Sequence, residues 1–132
     1  MNQILAEITA VLVSDDLALV HLKCEDQKFS SLIIHQENSF ISTGNKVYMV
    51  FKETEVLIGK NSRDQLSVKN CFGSVIKSIE KGKVLSEIKL NFKGHSITSI
   101  ITSESCERLA LCVGMEVEAL VKTNDLMLIQ LS

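Results

Sequence analysis

The 132-residue sequence contains no proline and no tryptophan, and only 5% of its residues are aromatic. Without proline, its turns depend on glycine, asparagine, aspartate and serine. The scarcity of aromatic side chains argues against a base-stacking platform for single-stranded nucleic acid. The net charge of −2 argues against a duplex-binding module, because neutralising phosphates requires an excess of basic residues. We therefore expect no direct nucleic-acid partner.

Long apolar runs are also missing. No stretch approaches the roughly 20 apolar residues that cross a bilayer. The first ten residues lack the basic region of a secretory signal and already include Glu7. We therefore expect a cytoplasmic protein without membrane contact. Apolar residues nevertheless make up 45% of the chain, which is enough to form a buried core.

Cysteine and histidine are present, but neither forms a local site in the sequence. The four cysteines include no C-x-x-C pair, and the three histidines do not cluster with them. This spacing predicts reduced thiols and no metal ion held directly by side chains. No catalytic Ser–His–Asp, Cys–His or paired-carboxylate pattern and no glycine-rich nucleotide loop is recognisable. We therefore expect a binding protein rather than an enzyme.

The chain contains an internal repeat. Residues 44–52 match residues 114–122 at the glycine, valine and lysine positions, with an offset of 70. Further upstream the offset is 68, so that Asn2 aligns with Asn70. The repeat predicts two domains, residues 1–60 and 66–132, joined by the polar linker 61–65.

Period-two patterns predict five strands in the second unit. These are Phe72–Ile79, Val84–Phe92, Ile97–Ile101, Glu116–Lys122 and Leu126–Ile129. Residues 103–111 break this period and predict a short helix with Ser103 as its cap, ended by Gly114. We therefore predict an all-β protein of two OB-like, five-stranded antiparallel barrels in tandem, each with one short helix.

Four segments of the second unit also follow a known pattern: Ser67–Asn70, Ser78–Gly82, Ile101–Ser105 and Val113–Lys122. They match Ser-Ala-Arg-Asn, Ser-Ile-Glu-Lys-Gly, Ile-Thr-x-Glu-Ser and Val-Gly-x-Glu-Val-x-Ala-x-Ile-Lys. The second unit therefore resembles the molybdate-binding Mop domain, an OB-type TOBE domain, and the first unit resembles it more weakly. The resemblance implies a tandem molbindin that binds molybdate or tungstate in the cytoplasm, between domains of a homo-oligomer. For the oligomeric state we expect a trimer, with a dimer as the next choice.

The same resemblance implies a set of oxyanion-binding residues in the second unit. They are Ser67, Val68, Lys69, Asn70, Thr102, Ser103, Ser105 and Lys122. Hydroxyl and N–H donors with at least one cation suit a tetrahedral dianion, which has only acceptor oxygens. Lys69 stands where the family has arginine, and it replaces a fixed fork of donors by a mobile point charge.

The first unit departs further from the pattern. Thr102 and Ser105 correspond there to Ile34 and Glu37, or to His35 and Asn38 if the register shifts by one. Neither register restores the hydroxyl pair, and only Lys52 keeps the final lysine. A weaker site formed by Lys52, His35 and Asn38 is therefore expected.

Two other functions remain open. The tandem could be the ligand-sensing part of a molybdate-responsive transcriptional regulator. It could also be an OB-type oligomerisation module without an active oxyanion site. The leading hypothesis is storage or homeostasis of the oxyanion.

Overall fold

The computed structural model describes residues 1–37 and 39–131. Within these residues there is one α-helix, α1 (Ser103–Arg108), and there are two 3-10 turns, Glu53–Glu55 and Thr123–Asp125. No helix in these ranges combines the length and the apolar character needed to cross a membrane. The strands are β1 Asn2–Ser14, β2 Leu17–Cys24, β3 Gln27–Ile34, β4 Lys46–Phe51, β5 Leu57–Gly59, β6 Asn70–Lys81, β7 Leu85–Phe92, β8 His95–Thr102, β9 Glu116–Val121 and β10 Met127–Gln130.

The strands form two five-stranded antiparallel sheets, with the orders β10-β4-β1-β2-β3 and β5-β9-β6-β7-β8. These sheets confirm the predicted all-β fold. Each sheet takes one edge strand from the other half of the chain. Met127 of β10 pairs with Val50 of β4, and Leu57 of β5 pairs with Leu120 of β9. The sequence repeat did not reveal this exchange, because a short strand does not encode its partner.

The two long first strands bend at equivalent places. The register between β1 and β2 shifts between Ile8 and Ala10, and that between β6 and β7 shifts between Ile76 and Ser78. A β-bulge of this kind increases the local twist and lets one strand curve around a barrel. The bulges lie 68 residues apart, which is the offset of the upstream repeat.

One continuous apolar core joins both halves. Three phenylalanines meet edge-on at its centre, with ring centroids 5.2 Å apart for Phe29 and Phe72 and 5.0 Å apart for Phe72 and Phe92. Phe29 comes from the first half, and the other two come from the second. Burying aromatic rings in this way contributes strongly to stability, and the contact between Phe29 and Phe72 joins the two halves.

The helix differs from the prediction in three ways. Its N-cap is Thr102, whose Oγ1 accepts a hydrogen bond from the backbone N–H of Ser105, and not Ser103, which lies in the first turn. It ends at Arg108 rather than at 111, and Ala110 then adopts a left-handed φ of 52° before Gly114 is reached. In the first half, residues 35–37 and 39–45 contain no helix, so the prediction of one helix per half is wrong there.

Candidate functional site

The segment before β6 has a buried end and an exposed end. Ser67 and Lys69 are exposed, Val68 is half-buried, and Asn70 is completely buried. The Asn70 side chain accepts a hydrogen bond from the backbone N–H of Ser30 at 2.7 Å and donates one to the Ser30 carbonyl at 2.9 Å. Its amide is therefore committed within the chain, and the groups that this segment can offer an anion are the Ser67 hydroxyl and the Lys69 ammonium.

Lys69 faces a cationic cleft in the first half of the chain. The cleft has a volume of about 480 Å³, and its polar lining consists of Thr9, His21, Lys23, Lys28, Ser30 and Lys69. None of its lining residues is acidic. Three lysines and the Thr9 hydroxyl beside one opening are the kinds of donor that a dianion requires. The Ser30 hydroxyl is buried and lies 3.0 Å from Nδ1 of His21.

Sequence reasoning missed two of these lysines. Lys23 and Lys28 lie directly opposite each other at the end of the β2–β3 ladder. Like charges in such a pair are destabilising. Glu7 of β1 pairs with Lys23 from the other side, so one carboxylate already lies next to the lysine pair. The detectable signal in the sequence was two lysines on either side of the acidic pair Glu25 and Asp26. It was hidden because the first half as a whole is more acidic than the second.

The start of α1 presents a second group of predicted residues. Ser103 is buried, and its Oγ donates to the Gly82 carbonyl at 2.6 Å and lies 2.8 Å from Oγ of Ser86. Ser105 is half-buried, and its Oγ accepts a hydrogen bond from Arg108 at 3.2 Å. Ser103 thus closes the turn between β6 and β7, whereas Ser105 lines a surface cleft together with Arg108.

The two repeat-related lysines lie beside strands of the opposite half. Lys122 follows Val121, which pairs with Asn70, so it lies next to Lys69 across the ladder. The turn after Lys122 packs against β3, where the Ser31 hydroxyl donates to the Leu126 carbonyl. The turn after Lys52 packs instead against β8, the strand that ends at Thr102.

The predicted residues therefore form two groups. One group consists of Ser67–Asn70 and Lys122, and the other is Thr102–Ser105. Lys69 lines the cleft formed with Thr9 and Lys23, whereas Ser105 lines a different cleft with Arg108, and the two clefts share no lining residue. In a single copy of the chain, Lys69 and Ser105 therefore face different openings.

The first half has no hydroxyl side chain at the position equivalent to Thr102. Ile34 pairs with Leu17 just as Thr102 pairs with Leu85, so the strand register places Ile34 in the position of Thr102. Ile34 is 71% exposed. His35 is half-buried, and its backbone N–H donates to the Asp16 carbonyl at 2.7 Å. Asn38 lies outside the described residues.

The known proteins that this chain resembles agree with one another in type. The TOBE domain family matches residues 66–128. Molybdenum-pterin-binding protein 2 of Clostridium pasteurianum is 35% identical over 65 residues, which are 48% of this chain and 96% of that protein. The molybdenum transport protein ModE of Azotobacter vinelandii is 27% identical over 93 residues, 70% of this chain. The chain spans only about a third (34%) of ModE.

A solved structure matches almost the whole chain. It is that of the cytoplasmic molybdate-binding protein ModG with molybdate bound. The two structures superpose with a TM-score of 0.91 at 26% sequence identity, over 97% of this chain and 94% of ModG. The agreement covers both sheets, and therefore the tandem arrangement as well as the single unit.

Proposed function

Because the chain belongs to the Mop-type family of TOBE-domain proteins, we propose that it binds molybdate or tungstate and serves in storage or homeostasis of the oxyanion in the cytoplasm. The observation that carries the proposal is the full-length structural match to molybdate-bound ModG. Family membership rests on the single-unit relative, 96% of whose length this chain covers. Binding, and not catalysis, is the activity that we assign.

The electrostatics of the Lys69 cleft support this proposal. Lys23, Lys28 and Lys69 line one opening into which no lining carboxylate projects. A tetrahedral dianion with four acceptor oxygens suits these lysines together with the Thr9 hydroxyl. The chain thus offers an anion positive charge and a hydroxyl donor beside one cavity.

The division of the predicted donors into two groups supports a homo-oligomer. A second copy can bring the Thr102–Ser105 group of one chain to the Lys69–Lys122 group of another. Apolar side chains available for such contacts are exposed at the sheet ends, among them Ile34 at 71% and Val84 at 69%. Ile34 pairs directly with Leu17, which is 46% exposed, and contiguous exposed apolar residues often mark an interaction surface. We propose a trimer of tandem chains, with a dimer as the next choice.

A second candidate function is supported by the match to ModE. The 93 matched residues are about a third (34%) of that longer protein, so a segment similar to most of this chain also occurs within a larger protein. In this alternative the tandem is the ligand-sensing part of a regulator. Storage would be accompanied by several ions bound per oligomer, whereas sensing would require a change in a partner's activity on ligand binding.

Calorimetric titration of the full chain with molybdate, tungstate and sulfate tests the proposal. We expect molybdate and tungstate to bind with similar affinity and sulfate to bind much more weakly, because a cage sized for the larger ions holds the smaller one loosely. Native mass spectrometry with and without molybdate then counts subunits and bound ions together. Equal affinity for sulfate, or no bound molybdate, would reject oxyanion storage, and a molybdate-loaded monomer would reject the oligomer.

A further inference from the structure

Two equivalent hairpin turns, one from each half, face each other on the surface of the shared core. Cys24 ends β2 and Glu25 begins the turn to β3, while His95 begins β8. The Sγ atom of Cys24 lies 3.7 Å from Nε2 of His95, and Oε1 of Glu25 lies 3.6 Å from the same nitrogen. The three side chains come together from positions 71 residues apart in the sequence.

All three ligand atoms point toward one place. One sulfur, one nitrogen and one oxygen atom lie within 4.8 Å of one another. A nucleophilic Cys–His–Glu triad has a different geometry, because its carboxylate holds the second ring nitrogen while the first faces the thiol. Here Glu25 and Cys24 both approach Nε2.

We propose that Cys24, Glu25 and His95 form a binding site for a divalent zinc-type ion. A thiolate, an imidazole and a carboxylate are the three ligand types that zinc takes in proteins. Calcium and magnesium prefer oxygen ligands alone, so the sulfur and nitrogen atoms select against them. The site is distinct from the cationic cleft of Lys69, which would repel a metal ion.

The distances fit a tetrahedral ion with little rearrangement. Bond lengths to zinc of about 2.3 Å for sulfur and about 2.0 Å for nitrogen and oxygen give edges of about 3.5 Å and about 3.3 Å in a tetrahedron. The observed separations of 3.7 Å and 3.6 Å are each slightly longer than these edges, and the third, between Cys24 and Glu25, is within 4.8 Å. Closing the cluster therefore requires movement chiefly of Glu25, whose side chain is 54% exposed.

The surroundings hold the ligands in place and leave one side open. The His95 ring stacks on Phe92 with centroids 5.8 Å apart, which restricts the orientation of the imidazole. Cys24 is only 5% exposed, whereas the side chains of His95 and Glu25 are 32% and 54% exposed. The neighbouring ammonium of Lys93 is paired with Asp26. An ion can enter from the solvent side and keep a water molecule as its fourth ligand.

Such an ion would join the two halves of the chain. Two of its ligands belong to the first half and the third belongs to the second. Binding that occurs only in the folded state stabilises that state, so the expected effect is a metal-dependent rise in the melting temperature without any oxyanion present.

Competition titration of Zn²⁺ against a chromophoric chelator, with the full chain free of molybdate, tests this inference. We expect one tightly bound ion per chain. Cys24→Ser and His95→Gln should each weaken binding about tenfold or more. Cys112→Ser is the matched control, because Cys112 is an exposed thiol outside the cluster, and it should bind like the unmodified chain.

Cobalt substitution supplies an independent readout. Co²⁺ bound through Cys24 should give thiolate-to-metal charge-transfer absorption, which persists in Cys112→Ser and is lost in Cys24→Ser. Circular dichroism establishes whether each variant is folded. If Cys24→Ser unfolds, His95→Gln still tests the inference, because His95 is partly exposed and its replacement disturbs the core less. No Zn²⁺ binding, or equal binding by the unmodified chain and His95→Gln, would overturn the inference. Molybdate affinity is measured separately and does not enter this result.

Discussion

Asn70 hydrogen-bonds both backbone groups of Ser30, at 2.7 Å and 2.9 Å. Ser30 lies on β3, the edge strand of the first sheet, so the Asn70 amide takes the place of a missing neighbouring strand. The Asn2 side chain makes the same two hydrogen bonds to Thr98 on β8: it donates to the Thr98 carbonyl at 2.9 Å and accepts from the Thr98 backbone N–H at 2.8 Å. Each half thereby covers an open edge of the other, and unpaired edges otherwise invite aggregation.

Asn70→Ala should destabilise the fold substantially. It leaves the N–H and C=O of the buried Ser30 without partners, and each unsatisfied buried group costs about 1–3 kcal/mol. Asn2→Ala is the matched variant and should cost less, because Thr98 is only half-buried and water can replace the lost amide. Urea unfolding of both variants measures the difference. An equal loss in free energy of unfolding would contradict this asymmetry.

Ser103 and Ser105 should respond differently to replacement by alanine. Ser103→Ala removes two buried hydroxyl contacts and should lower the unfolding free energy by about 1–3 kcal/mol. Ser105→Ala removes a half-buried hydroxyl and should leave stability nearly unchanged while weakening molybdate binding. Thermal unfolding and calorimetric titration of the two variants separate these effects. Unchanged molybdate affinity in Ser105→Ala would remove this residue from the proposed site.

Lys122→Ala should weaken molybdate binding more than Lys52→Ala. Lys122 lies beside Lys69 across the β6–β9 ladder, whereas Lys52 leads into a turn that contacts β8. A charge-assisted hydrogen bond to a bound anion contributes about 1.5–3 kcal/mol, roughly 10- to 150-fold in affinity. Titration calorimetry of both variants provides the comparison. If Lys52→Ala loses as much affinity or as many bound ions, then Lys52 serves the site and the first half is not degenerate.

Native thiol alkylation should modify Cys112 quickly and the other cysteines slowly. Cys112 is exposed, while Cys24, Cys71 and Cys106 are buried. Burial also raises the pKa of Cys24 and Cys71, which further reduces their reactive thiolate fraction. Intact-mass measurement should show one adduct before denaturation and four after it, one for each free cysteine. More than one rapid adduct in the native state would show that a buried segment opens.

The sequence was informative wherever a local pattern determined the structure. Alternating apolar residues predicted the long strands, and the motif around Thr102 placed the helix start within one residue. The cap was misassigned because Thr102 and Ser103 are both good capping residues and only the backbone geometry distinguishes them. The pairing of Ser30 with Asn70 was not predictable, since it depends on how one half packs on the other.

Long-range assembly limited the prediction of sites. Lys23 and Lys28 belong to an acidic half, and only the fold brings Lys69 to them. The family resemblance placed Lys122 in one set with both Lys69 and Thr102. The pairing of Asn70 with Val121 puts Lys122 next to Lys69 in the register of β6 and β9, which the sequence alone did not show. The cysteines and histidines showed no common spacing, yet two turns place Cys24 beside His95.

The exchanged edge strands have a consequence for the order of folding. The first sheet needs Met127–Gln130 from the second half, and the second sheet needs Leu57–Gly59 from the first half. Pairing strands this far apart in the sequence requires a long loop to close first, which slows folding. We therefore expect the two sheets to form together in one cooperative step rather than one after the other.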